Sequence, residues 1–298
     1  MAFDLSDINY RTVADPKGLI EECDAEYAAK ISKAADMISA NRKKSPIVLL
    51  SGPSGSGKTT TAQKIEEELS RRGIRSYTVS LDNYFIDVDP KTSPRTADGD
   101  YDFESPKCLD MKLLNEHFTK LANGERIYVP KFEFSRRMRV VEPSKSLKLG
   151  PDEIAGPHPD AFKLYISARS NVEFNGQVVF KGTWIRLVRR TVRDRLFRAY
   201  DPAQTLSMWA NVRRGEKLYI SPYKEKANLM LDTALKYELP VMNSVATELF
   251  SSVPEGIERY EELRQVLPAL QLFGHIDHSL VAPDSLVREF IGGGIYEQ

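Results

Sequence analysis

A chain of 298 residues is long enough for one large α/β domain with extensions, or for two domains. Its 42 basic and 42 acidic side chains cancel, so no global field draws it to nucleic acid or to a membrane surface, and any anion binding must come from local clusters. The two cysteines, Cys23 and Cys108, form neither a metal-ligand spacing nor a disulfide framework, and the opening "MAFDLSDINY" has no basic segment leading into an apolar run. The expectation is a cytoplasmic protein with reduced thiols and no membrane span.

In chain order, Tyr27, Ile31, Ala34, Ala35 and Ile38 recur at helical spacing and predict an amphipathic helix over 26–41. Short apolar runs at 47–50, 77–81, 162–166 and 229–231 read as strands. Between the first two lies "TAQKIEEELSRRG", a helical pattern that stops on Gly73. Strand, glycine loop, helix and strand make a βαβ unit, which implies an α/β fold with a parallel sheet flanked by helices. Residues 87–143 are rich in Pro, Asp, Arg and aromatics, with clear helical period only at 109–121. That stretch reads as an insertion carrying binding residues on loops. Ile257, Tyr260, Leu263, Val266, Leu267, Leu270 and Phe273 mark a further helix before the tail.

The first strand runs directly into "SGPSGSGKTT". Gly52, Gly57, Lys58 and Thr59 fit the phosphate-loop pattern in its proper setting, after a buried strand and before a helix. The loop Gly52, Pro53, Ser54, Gly55, Ser56, Gly57 is bare enough for backbone N–H groups to close on a phosphate chain, and the following helix adds its positive end. Lys58 would reach the outer phosphates, the hydroxyl of Thr59 would bind Mg²⁺, and Thr60 continues the cradle. A structural glycine turn requires neither the lysine nor the threonines. The expected ligand is therefore a nucleoside triphosphate with Mg²⁺. The second strand ends in "SLDNYF", which brings Asp82 out at the carboxyl end of the sheet, where ligands of such sheets lie. A carboxylate there could take a proton from an acceptor hydroxyl or hold the metal. A turn aspartate is the plain alternative.

The segments "GPSGSGKTT", "SLDNYF", "YDFESP", "YVPKFEFSRRMR", "RLVRRTVRDRLFR" and "PDSLVREFIGG" together resemble the uridine kinase / phosphoribulokinase family of P-loop kinases, over nearly the whole chain. The resemblance implies transfer of the γ-phosphoryl group of ATP to the 5′-hydroxyl of uridine or cytidine, with no nucleic-acid or membrane partner; whether identical chains assemble stays open. It implies a helical extension at 1–44, a kinase domain at 45–248 with a substrate insertion at 87–143 and a lid at 184–200, and a helix and tail at 249–298. Asp82 takes the place of the general base beside Lys58, and Thr59 and Asp82 hold the metal. Tyr84, Phe85, Tyr101, Phe103, Phe132, Phe134 and Arg137 shape the nucleoside pocket, where flat rings suit a base. Arg186, Arg189, Arg190 and Arg193, three to four apart on one helix, face the phosphates from the lid.

The sequence departs from the family in three places. Phe132, Glu133 and Phe134, followed by Arg136 and Arg137, stand where nucleoside kinases of the family show tyrosine, aspartate, phenylalanine and a histidine. The two arginines would suit a more anionic acceptor such as a sugar phosphate. Ala199 follows Arg198 where a glycine is expected. After "KLGPDEI" the relatives continue with an apolar strand that ends in a metal-holding glutamate, and this chain goes straight to "AGPHPDAFKLYIS". The phosphate-loop strand should then lack a neighbour, with Glu153 and Asp160 as candidates to replace the acid. Two alternatives to the nucleoside kinase follow: a kinase of the same family acting on a sugar phosphate or another hydroxyl, and a nucleotide-binding protein with impaired turnover.

Overall fold

The computed structural model describes residues 2–149, 159–256 and 261–296. The chain opens with strand β1 (Ala2–Asp4), helix α1 (Leu5–Ala14) and helix α2 (Pro16–Asn41), followed by strand β2 (Val48–Ser51) and helix α3 (Lys58–Arg71). Helix α4 (Met111–Ala122) and strands β3 (Arg126–Glu133) and β4 (Met138–Lys148) come next. Strands β5 (Phe162–Ser167), β6 (Asn171–Phe174) and β7 (Gln177–Phe180) precede helices α5 (Gly182–Phe197) and α6 (Pro202–Gly215). Strand β8 (Leu229–Asp232) and helices α7 (Glu238–Ser251), α8 (Glu261–Leu270) and α9 (Arg288–Ile291) complete the order.

The central sheet is parallel, in the order β2-β5-β8. Val48 pairs with Phe162 and Leu164 with Leu229, so the carboxyl ends of all three strands lie on one side. Middle strand β5 is buried along nearly its whole length, as expected for a strand covered on both faces. Around it, α2 packs on α3, while α5 packs on α6, α7 and α9. Tyr27 and Thr61 share a buried hydrogen bond of 2.7 Å that locks α2 to α3. Helix α2 starts at Pro16 rather than near residue 26, because Asp15 caps it by accepting the Gly18 N–H and Pro16 suits the first turn. The amino-terminal extension is not helical alone. Its β1 joins β6 in parallel and forms a second sheet, β1-β6-β7.

Strand β2 is an edge strand: among the described residues it pairs with β5 and with no strand on its other side. Val48 is 37% exposed and Leu49 51%. The expected strand at 77–81 is not one. A strand requires a partner for its backbone groups, and this segment is held by side chains instead: Thr78 donates to Glu66, Lys145 bonds the Thr78 carbonyl, and Val79 packs on a second small core. That core consists of Tyr84, Leu114, Leu121, Ile127, Val129 and Leu147, and it carries the antiparallel hairpin β3-β4. Of the two acids proposed to replace the missing one, Glu153 lies outside the described residues. Asp160 precedes β5, at the opposite end of the sheet from the phosphate loop, and cannot serve that site. Ala199 adopts φ 53°, the left-handed conformation that glycine takes without strain. Among the described residues no helix is long and apolar enough to cross a membrane.

Candidate active site

The phosphate loop leaves β2 at its carboxyl end and enters α3 at Lys58. A side chain at Gly52 would lie 2.1 Å from the Ile166 carbonyl, so only glycine lets the loop pass over β5. Gly57 caps α3 at φ 80° and turns the chain into the helix. Four consecutive carbonyls of the loop are taken from outside. Lys58 Nζ donates to Pro53 O (3.0 Å), Arg186 Nη1 to Ser54 O (3.1 Å), Arg189 Nη1 to Gly55 O (3.3 Å) and Thr233 Oγ1 to Ser56 O (2.8 Å). With its carbonyls held, the loop is shaped as a nest for an anion. Ser56 Oγ is buried beside Gly52 and has no hydrogen-bond partner among the described residues.

These contacts correct the placement of two of the four arginines of α5. Arg189 is wholly buried and makes paired bonds to Glu238 at 2.5 and 3.1 Å. Arg186, also buried, makes paired bonds to Glu216 at 3.1 and 2.9 Å and lies over the Trp209 ring. Buried charges require such partners, and both guanidiniums are committed to bracing the loop from behind. Helix α5 is a core helix on that side rather than a separate cover. Arg190 does face the loop, donating to Ser54 Oγ at 2.8 Å. Arg193 lies close enough to Lys58 for its charge to be felt there.

Asp82 sits in a short 3₁₀ turn (Leu81–Tyr84) that begins at Ser80, whose hydroxyl accepts the Asp82 N–H. Arg139 of β4 fixes this turn, with Nε to Phe85 O at 2.9 Å, Nη2 to Tyr84 O at 3.1 Å and Nη1 to Asp110 at 3.0 Å. The Asp82 carboxylate is exposed and close to Lys58. Burial holds the Lys58 ammonium below its ordinary value, and Asp82 and Glu289 draw it back up. Glu104, which sequence reasoning passed over inside "YDFESP", stands in the same field as Asp82, Lys58 and Arg190. Burial pushes its carboxyl above the ordinary value of 4.5 while the two cations oppose the rise. Its place depends on α6: a side chain at Gly215 would lie 2.2 Å from Glu104 Cβ, and Asp102 pairs with Arg214 at 2.6 Å.

The aromatic residues divide into two groups. Phe85, Phe132 and Phe134 form a three-ring cluster with centroids 5.1–5.5 Å apart, and Arg198 lies over Phe134 at 5.3 Å. Tyr101 and Phe103 form a second pair at 6.0 Å, joined to the hairpin turn by Arg137 over Phe103. Tyr84 belongs to neither. It is buried in the second core, where its hydroxyl shares a 2.9 Å hydrogen bond with His117 Nδ1, so it cannot line an open pocket. Arg136 is paired with Glu133 at 3.4 Å. A second omission of the sequence reading is Glu289 of α9, whose carboxylate accepts the Thr60 N–H at 3.0 Å.

Among the described residues no cluster of three His, Cys, Asp or Glu is arranged to hold a metal. The donors near the loop are the exposed Thr59 hydroxyl and the carboxylates of Asp82 and Glu104. Hard oxygen donors of this kind fit Mg²⁺ that is held mainly by phosphate and water.

Known proteins similar to this chain are kinases. The chain is 26% identical over 211 residues to a uridine kinase of Halobacterium salinarum, covering 67% of this chain and 82% of that one. It is 27% identical to a uridine kinase of Mycoplasma genitalium, covering 72% and 98%. A uridine kinase of Saccharomyces cerevisiae is 31% identical, covering 74% of this chain and 43% of the yeast one. The model of the phosphoribulokinase / uridine kinase family matches residues 47–238. With a phosphate loop, a cationic wall and a carboxylate at the carboxyl end of a parallel sheet, the chain belongs to the phosphoribulokinase / uridine kinase family of kinases.

Proposed function

We propose that the protein transfers the γ-phosphoryl group of ATP to the 5′-hydroxyl of a pyrimidine nucleoside, uridine or cytidine. The observation that carries this reading is the meeting of Lys58, Asp82, Glu104 and Arg190 in one field at the mouth of the phosphate loop, with the Phe85, Phe132 and Phe134 cluster linked to it through Arg198. In this reading the loop N–H groups and Lys58 hold the triphosphate, and Arg190 and Arg193 offset charge that develops as the phosphoryl group moves. Asp82 accepts the proton of the attacking hydroxyl. The ring cluster supplies a flat apolar wall for a base, and Glu104 an acceptor for sugar hydroxyls. Mg²⁺, held by Thr59 and Asp82, would neutralise phosphate charge.

The uridine kinases among the relatives support the acceptor class. Incubation with Mg-ATP and a panel of nucleosides and sugar phosphates, followed by measurement of ADP and of the phosphorylated product, tests it. Product from uridine or cytidine alone supports the reading, and product from a sugar phosphate alone overturns it. The open edge of β2 favours a second reading, in which ATP binds but turnover is slow. ATP binding with no product from any acceptor would select that one.

A further inference from the structure

Asp194 is wholly buried in the last turn of α5, and its carboxylate is ringed by three guanidiniums. Arg193 donates to Oδ1 from Nη2 at 2.7 Å and from Nε at 3.1 Å. Arg190 Nε lies 3.1 Å from Oδ2 and Arg198 Nη1 3.6 Å from Oδ1, one helical turn before and after. The Arg190 contact is at ion-pair distance but outside hydrogen-bond geometry, so among the described residues Oδ2 has no hydrogen-bond donor and faces the Arg190 charge. The backbone fixes the acid as firmly: Asp194 O accepts the N–H groups of both Arg198 and Tyr200, at 3.1 and 3.2 Å.

Arg190 and Arg198 also touch the site, and the charge of Arg193 is felt there. Arg190 donates to Ser54 of the phosphate loop, Arg193 acts on Lys58, and Arg198 covers Phe134 and feels the charge of Asp82. Three like charges brought this close repel, at an energy that grows as water is excluded. A single buried carboxylate between them offsets part of that repulsion and fixes their directions at once.

We propose that Asp194 is the positioning residue of the cationic wall: it touches no substrate itself, but it aims Arg190, Arg193 and Arg198 at the outer phosphate and the acceptor. The inference rests on the reading of this cleft as a phosphoryl-transfer site. Its immediate consequence concerns binding. The wall lies by Lys58 and Asp82, where a third phosphate would be, so its alignment should matter more for ATP than for ADP.

The test is calorimetric titration of the full chain with Mg-ATP and with Mg-ADP, for the wild type and for Asp194→Asn, Arg193→Gln and the double variant. The expected result is a loss of preference for ATP over ADP of about tenfold in Asp194→Asn, the scale set by misplacement of charged groups in a site. ADP affinity should stay nearly unchanged. In the Arg193→Gln background the Asp194→Asn change should add less than it does in the wild type, because one of the three groups it aims is gone. A purely structural role would weaken ATP and ADP alike, or add fully in the double variant, and either result overturns the proposal. If Asp194→Asn does not fold, Arg193→Gln and Arg198→Gln carry the test, since each should lower the same preference. An unchanged preference in both overturns the proposal. Because the readout is binding, failure of the nucleoside-kinase reading would show separately, as absence of product from wild-type protein.

Discussion

The carboxylate of Glu289, in the last helix of the chain, accepts the backbone N–H of Thr60 in the first turn of α3, 229 positions earlier in sequence. An N–H at the start of a helix that follows a phosphate loop is a natural anion donor, and here a protein carboxylate already holds it. Glu289→Ala should have two opposed effects. Losing a capping acid should cost about 1 kcal/mol of stability, while removing a negative charge that Lys58 feels should strengthen binding of tripolyphosphate. A thermal melt and a calorimetric titration measure both. Weaker binding together with the lower melt would show that Glu289 only caps the helix.

Lys58→Ala should abolish transfer and leave the fold intact. The lysine is partly exposed and its bond inside the protein is to the Pro53 carbonyl, so little packing is lost. Circular dichroism and ADP release are the measurements. Wild-type turnover would remove the phosphate loop from the chemistry.

Asp82→Asn should keep ATP affinity and lower kcat by about 10²- to 10⁴-fold, since an amide cannot take the acceptor's proton. The exposed position and the turn fixed by Arg139 mean that stability should hardly change. Normal turnover would make Asp82 a turn residue.

Glu104→Gln separates stability from binding. Its folded-state value lies above the ordinary 4.5, so the folded protein holds this proton more tightly than the unfolded chain. The group's contribution to stability therefore falls as pH rises from 4.5 through the raised value. The glutamine variant lacks that penalty. It should melt higher than wild type at neutral pH, with the difference vanishing below the ordinary value, while KM for the acceptor rises. A pH series of melting curves checks the sign, and a variant that melts lower at neutral pH would contradict it.

Leu49→Lys tests the open edge of β2. Leu49 is 51% exposed on a strand whose outer backbone groups have no strand partner among the described residues. Such edges invite pairing with another chain, and a lysine blunts them. Concentration-dependent light scattering should fall in the variant, with stability changed by less than about 0.5 kcal/mol. Unchanged scattering would mean that this edge is not where copies meet.

The phosphate loop, the helix after it, β5 and β8 were legible because each is a local pattern: a fixed glycine spacing, a helical period, a short apolar run. The segment at 77–81 has the composition of a strand, but strand formation depends on a partner elsewhere in the chain, and composition says nothing about that partner. The arginines of α5 show the same limit. Their spacing places them on one helix, but whether a guanidinium faces solvent, phosphate or a buried acid depends on Glu216 and Glu238, which lie far along the sequence. As an aromatic beside Asp82, Tyr84 has the sequence signature of a pocket residue, and the neighbour that claims it is His117, 33 positions on. Glu104 and Glu289 both stand in segments that carried the family resemblance, and attention to carboxylates in those segments would have found them.

The four carbonyl contacts behind the phosphate loop have a consequence for how affinity and folding are connected. Since Arg189, Thr233 and Arg186 of the core hold the loop carbonyls, much of the entropy of ordering the loop should be lost when the core forms rather than when nucleotide arrives. Association should then be fast and without a slow rearrangement. The loop's competence is inherited from residues behind it, so loss of Glu238, which would leave Arg189 buried without its acid, should lower stability and nucleotide affinity together.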